Sequence, residues 1–144
     1  MKRAFMLPAE IAEGANLSGN EYGWSPAAFP HALKKACTLG YACLGGQFQF
    51  RAPKATYEMY WLNADPDERG AEESWEEFQL RSCVQTLERY ERRLAETDFV
   101  AEGHRLRTLL ELSAPEDEPL DYLCFVAYFR SRQQYEMRHN RKMG

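Results

Sequence analysis

Gln47, Phe48, Gln49, Phe50 and Arg51 alternate strictly between polar and apolar side chains, and no other stretch constrains the fold as tightly. A period of two is that of a strand with one face in the core. Past Pro53, Tyr57, Met59 and Trp61 fall on one face of a second extended run, and Glu58, Tyr60 and Leu62 on the other. The two runs, at about 41–51 and 56–63, read as an antiparallel hairpin closed by the Pro53 loop. Phe48, Phe50, Met59 and Trp61 then meet across the ladder, where each aromatic pair is worth roughly 0.2–1 kcal/mol. An isolated hairpin is marginal in water, so the rest of the chain must cover this face.

Residues 2–7 read as a short third strand, Ala9 to Gly14 as one or two helical turns, and the Gly- and Asn-rich Asn16 to Gly23 as a loop. Ser25-Pro26 is a helix start, a capping residue followed by a proline whose missing N–H is harmless there, and Gly40 suits the cap after Leu39. Pro30 complicates that helix, so either its first turn is separate or it begins at Pro30; its apolar stripe is Phe29, Leu33, Ala36 and Cys37. After an acidic loop from Asn63 to Gly70, Ser74-Trp75-Glu76-Glu77 spells a capping box. It predicts a long helix to about Glu96, apolar along Trp75, Phe78, Cys83, Leu87, Tyr90 and Leu94, with Leu80 and Val84 beside them.

A third helical segment is expected over Ala101 to Leu112, then an acidic loop from Ser113 to Pro119. Tyr122 to Phe129 has the composition of a buried strand but a single β-branched residue. Acids at 116–118 before it and Arg138, Arg141 and Lys142 behind it have the polarity a helix dipole favours, so a helix from Leu120 to about Lys142 is predicted. The outcome is an α+β fold, helices packed on a small antiparallel sheet. It forms one domain over 1–144, whose residues from about 138 read as a mobile tail.

The net charge of -4 is unevenly spread. Residues 1–63 carry +2, residues 64–119 carry -9 and residues 120–144 carry +3. An acidic middle repels nucleic-acid phosphates and attracts a basic partner. Its densest part, Asp65, Asp67, Glu68, Glu72, Glu73, Glu76 and Glu77, is the candidate partner-binding surface. Acids also suit the first turn of a helix, which accounts for part of the cluster. No apolar run reaches the ~20 residues of a membrane span, and the apolar N-terminal run stops at Pro8, so a cytoplasmic protein is expected.

No catalytic or metal-binding pattern stands out, and neither an enzyme nor a cofactor is expected. Cys37, Cys43, Cys83 and Cys124 lack the close pairs of zinc or redox motifs; four cysteines permit two disulfides, but reduced, buried thiols are expected in the cytosol. His31, His104 and His139 are far apart. Asp65, Asp67 and Glu68 are spaced like the start of a calcium loop, but Pro66 and Arg69 interrupt the pattern. Gly45-Gly46-Gln47 is the tripeptide with which peptide release factors hydrolyse peptidyl-tRNA; here it opens a patterned strand, where glycines serve a sharp entry.

Trp24-Ser25-Pro26, the run from Leu39 to Arg51, and Glu58-Met59-Tyr60-Trp61 together resemble small bacterial immunity proteins encoded beside polymorphic toxins, such as Rhs-type or type VI secretion effectors. The resemblance covers about residues 22–95. It implies a cytosolic antitoxin that binds a cognate toxin domain and blocks it without catalysis, and it transfers no residue roles. Many toxin domains are basic, and the acidic middle would speed their association. Two other readings compete. One is a small enzyme or ligand-binding domain with a pocket lined by Trp24, Tyr41, Tyr60 and Trp61; the other is RNA association through the basic tail from Arg130 to Lys142.

Overall fold

The computed structural model describes residues 6–143, with side chains as far as Met137. Helix α1 (Ala9–Ala12) leads into strands β1 (Asn16–Ser18) and β2 (Glu21–Trp24), then helix α2 (Phe29–Thr38). Strands β3 (Ala42–Arg51) and β4 (Thr56–Asn63) precede the long helix α3 (Trp75–Glu96) and the short α4 (Phe99–Arg105). A 3-10 turn (Pro119–Tyr122), strand β5 (Leu123–Arg130) and helix α5 (Arg132–Met143) complete the chain. Among the described residues the five strands form one antiparallel sheet in the order β1-β2-β5-β3-β4. The fold is therefore α+β, and β3–β4 is the expected hairpin.

The helix signals hold locally. The Ser74 hydroxyl accepts from the Glu77 amide at 3.1 Å while the Glu77 carboxylate accepts from the Ser74 amide at 3.0 Å, which closes the capping box. Pro30 lies in the first turn of α2, so the stretch from Ser25 is a separate turn in which the Ala28 and Phe29 amides donate to the Ser25 carbonyl. Gly40, at φ +83°, ends α2 while the Tyr41 amide reaches back to the Ala36 carbonyl at 2.9 Å.

Four expectations are corrected. The helix predicted from Leu120 to Lys142 is a turn, a strand and a helix. Every residue of β5 is buried, because this strand sits between β2 and β3 with the core on one face and the Arg51 side chain laid across the other, so its burial shows no alternation. The basic end that suggested one long dipole belongs to α5, capped separately by Ser131, whose hydroxyl accepts from the Gln134 amide at 3.2 Å. The backbone of α5 continues to Met143, through the segment read as a tail.

Second, Asn16 to Gly23 is a hairpin whose two-residue loop places Gly19 at φ +61°. It supplies neighbours to β5 in place of the strand expected at 2–7, of which Met6 and Leu7 are not in a strand and residues 2–5 lie outside the described residues. Third, the segment expected as a helix to Leu112 is helical from Phe99 to Arg105 and continues as turns. Leu106 and Leu110 are still buried there, while Leu109 is exposed.

The fourth correction concerns Trp61. Gln47 pairs with Asn63 and Phe48 with Met59, so Tyr60, Trp61 and Leu62 stand opposite no residue of β3. This bulge breaks the period of two, turning Leu62 inward and leaving Trp61 47% exposed. On α3, Leu80 and Val84 are exposed as well. The core expected around the hairpin otherwise forms: Phe48, Phe50 and Met59 are fully buried with Trp24, Phe29, Tyr90 and Phe125. The Phe125 ring lies 4.5 Å from Phe29, 4.9 Å from Phe48 and 5.0 Å from Tyr90.

Candidate partner-binding face

The core covers one face of the sheet. On the other lie residues of opposite parity, Glu21 of β2, Gln47, Gln49 and Arg51 of β3, Glu58 and Tyr60 of β4, and Tyr128 of β5, of which Gln49 and Tyr128 are buried beneath the rest. At one end this face is closed where Tyr135 of α5 packs on Trp75, Phe78 and Ala42. The remainder is open and contains two adjoining depressions of about 470 and 400 Å³, which share Glu21, Glu58 and Tyr60.

Arg51 organises this face. Its guanidinium crosses β5 to reach the first hairpin, donating to the Asn16 carbonyl at 2.6 Å and the Glu21 carbonyl at 3.0 Å. Nε donates to the Gln49 side-chain oxygen at 2.8 Å. Gly23 leaves the passage open, since a Cβ there would stand 3.1 Å from Arg51 Nη1. Behind the guanidinium, the Tyr128 hydroxyl donates to the Glu21 carboxylate, and burial together with that carboxylate pushes the tyrosine's pKa up. Glu58 has no hydrogen bond or ion pair among the described residues, while Tyr60 and Trp61 stand exposed beside it with ring centroids 5.9 Å apart.

The seven acids singled out in the sequence lie along one loop and the first turn of α3, and five of them already have partners. Asp65 turns toward β3, where its Oδ1 accepts from the Gly46 amide at 3.1 Å, and it also lines the second depression. Asp67 pairs with Arg89 at 3.1 Å, and that hydrogen bond, with one from Gln85, lowers its pKa. Glu73 is gripped by Arg81 at 2.6 and 2.8 Å, Glu77 closes the capping box, and Glu76 is 3.6 Å from Arg132. The carboxylates of Glu68 and Glu72 are exposed and have no hydrogen bond or ion pair among the described residues. Asp67 and Glu73 thus clamp the loop between β4 and α3 to the helix. Asp65 alone of the seven reaches the open sheet face.

The Glu73 clamp has a pH signature. Hydrogen bonds from Arg81, then from the Gly70 amide, hold its carboxyl at about 2 against an ordinary 4.5. A carboxyl depressed on folding contributes stability that is full above the unfolded value and is lost as pH falls through the folded one. Thermal melts of the native chain and Glu73→Gln are expected to differ at pH 6, to converge below 4.5 and to coincide near 2. A difference independent of pH would show that the pair does not act through charge.

The alternative pocket does not assemble. Trp24 is fully buried and Tyr41 packs against the main core, so of the four rings proposed for it only Tyr60 and Trp61 reach the open face. Burial pushes the Cys124 thiol up to about 11 and raises Cys83 further, the direction opposite to that of a nucleophilic thiolate. The four cysteines are free thiols. Gly45 and Gly46 are both buried inside β3. Among the described residues no group of three His, Cys, Asp or Glu is placed to hold a metal ion, and no helix is long and apolar enough to cross a membrane. The side chains of the basic tail from Arg138 lie outside the described residues.

Sequence reasoning missed Glu21, Arg51 and Tyr128 as members of one face. Parity within β3 was a signal for Arg51 and Gln49, whereas Glu21 and Tyr128 lie on strands read as a loop and a helix. No protein-family model matches the chain, nor does any curated protein or solved structure.

Proposed function

We propose that the chain is a non-catalytic binding domain of the immunity type, which docks a basic toxin domain on its open sheet face and blocks it in the cytoplasm. The observation that carries this reading is the exposed Tyr60–Trp61 pair on edge strand β4, bordered by the carboxylates of Glu58 and Glu21. Large aromatic side chains at the centre of a contact supply most of the binding energy in protein interfaces, and acids around them select and steer a basic partner. Asp65, which lines the adjoining depression, adds a further carboxylate to that face. The resemblance to immunity proteins supports the same class.

The test is co-purification with the product of the adjacent gene. A stable complex is expected, weakened by about 2 kcal/mol or more in Trp61→Ala, the range of an interface hot spot. Because Trp61 is outside the core, the variant's melting curve should stay near that of the native chain. Failure to form any complex, or a complex indifferent to Trp61, overturns the reading.

A further inference from the structure

The larger depression holds features that docking of an acidic face does not by itself require. Gln49 forms part of its lining and is only 2% exposed. Its side-chain oxygen is committed to Arg51 Nε, which fixes the orientation of the amide and turns Nε2 away. Among the described residues that buried Nε2 has no hydrogen-bond partner, and its own surface is closed to solvent. A buried donor left unpaired is costly and calls for an acceptor. Around it stand the free carboxylate of Glu58 and the rings of Tyr57, Tyr60 and Trp61, the first and last 6.2 Å apart and edge to face. Among the described residues the one cation in the lining, Arg51, is already occupied by Gln49, Asn16 and Glu21.

A carboxylate without a partner, aromatic faces and a donor seeking an acceptor complement one chemical group: a basic side chain carried on a peptide main chain. We infer that this depression seats a single arginine projecting from an extended segment of the partner. The guanidinium stacks on Tyr60 or Trp61 and pairs with Glu58, and as those exposed rings shift to admit the segment, one of its main-chain carbonyls reaches Gln49 Nε2 and accepts from it. Arginine suits the site better than lysine because a planar guanidinium can both stack on a ring and bond a carboxylate through two N–H groups. The inference rests on the reading of this face as a docking surface for a basic protein and names what enters it.

The probe is a capped nine-residue glycine-serine peptide with one central arginine, titrated at low salt into the full chain. Nuclear magnetic resonance follows the Trp61 indole N–H and the Gln49 side-chain amide. Both signals are expected to shift saturably, with affinity at least tenfold weaker for a citrulline peptide and tenfold weaker for Glu58→Gln, whose substituted side chain is exposed. Equal binding of the arginine and citrulline peptides overturns the inference, as does indifference to Glu58→Gln or the absence of any shift up to about 10 mM. Guanidinium chloride binding as tightly as the peptide would mark a small-cation site and also overturn it. A toxin complex that survives Glu58→Gln without peptide shifts removes the arginine seat and leaves the docking face. Peptide shifts with no protein partner leave the seat and remove the immunity reading.

Discussion

Gly46→Ala is expected to destabilise the protein by about 3 kcal/mol or more, at or beyond the upper end for overpacking a core. A Cβ at this position would stand 2.0 Å from the Val126 carbonyl oxygen, 2.7 Å from the Phe125 ring and 2.9 Å from the Ala127 Cα. Two of these obstacles are backbone, so no rotamer change relieves them, and β3 must move away from β5. That opens the ladder of the central strand, where Gly46 pairs with Ala127 beside a bulge in which Leu44 and Gly45 stand against Tyr128 alone. With a urea slope of about 1–3 kcal/mol/M, the midpoint should fall by about 1 M or more. Gly70→Ala is the control, since its nearest neighbour would be the Glu73 Cβ at 3.7 Å, and it should stay within about 0.5 kcal/mol. Comparable behaviour of the two variants would show that β3 and β5 are not in this register.

The same glycines show how the sequence was legible and where it was not. Gly45-Gly46 before an alternating run read as a sharp entry into the strand, and the structure adds a reason the sequence did not show: Gly45 sits at φ +99° with Asp65 packed where a Cβ would be, and Gly46 lies against β5. What they approach was invisible, because every residue of β5 is buried and its burial carries no period. Its apolar residues were assigned by the charges flanking them, and those charges belong to a loop and to a separately capped helix. Signals confined to a few neighbours survived intact. The Ser74–Glu77 box, the Gly40 cap and the β3 alternation all depend on residues within five positions of one another.

The candidate site follows the same rule in reverse. Its acids were visible as a run, but charge runs do not reveal which members find partners. Arg81 and Arg89, about two and about four turns along α3, claim Glu73 and Asp67 once the loop folds back. Glu58, unremarkable in the sequence, is left free because strand parity sets it on the uncovered face and Arg51 reaches the other way, toward β1 and β2. Trp61 was misplaced for a related reason: a bulge opposite Gln47 and Phe48 is decided by the partner strand, and nothing within β4 announces it.

Phe125→Ala should be the most damaging of the side-chain truncations, at about 3–5 kcal/mol, the range for removing a buried phenylalanine ring. Phe125 is fully buried on the central strand and touches rings from α2, β3 and α3, so its loss leaves a cavity bounded by three elements that are held apart by their own backbone bonds. A site that collapses poorly pays near the top of that range. Folded domains of this size have only about 5–15 kcal/mol in hand, so the variant is expected to be partly unfolded at 37 °C, with a lowered urea midpoint and an unchanged slope. A loss below about 1 kcal/mol would place the ring outside the core. The contrast with Trp61→Ala separates scaffold from surface on one sheet. Phe125 governs stability because four rings meet on the covered face, and Trp61 is expected to leave stability nearly untouched while weakening the complex, because the bulge in β4 delivers it to the face that the helices leave open.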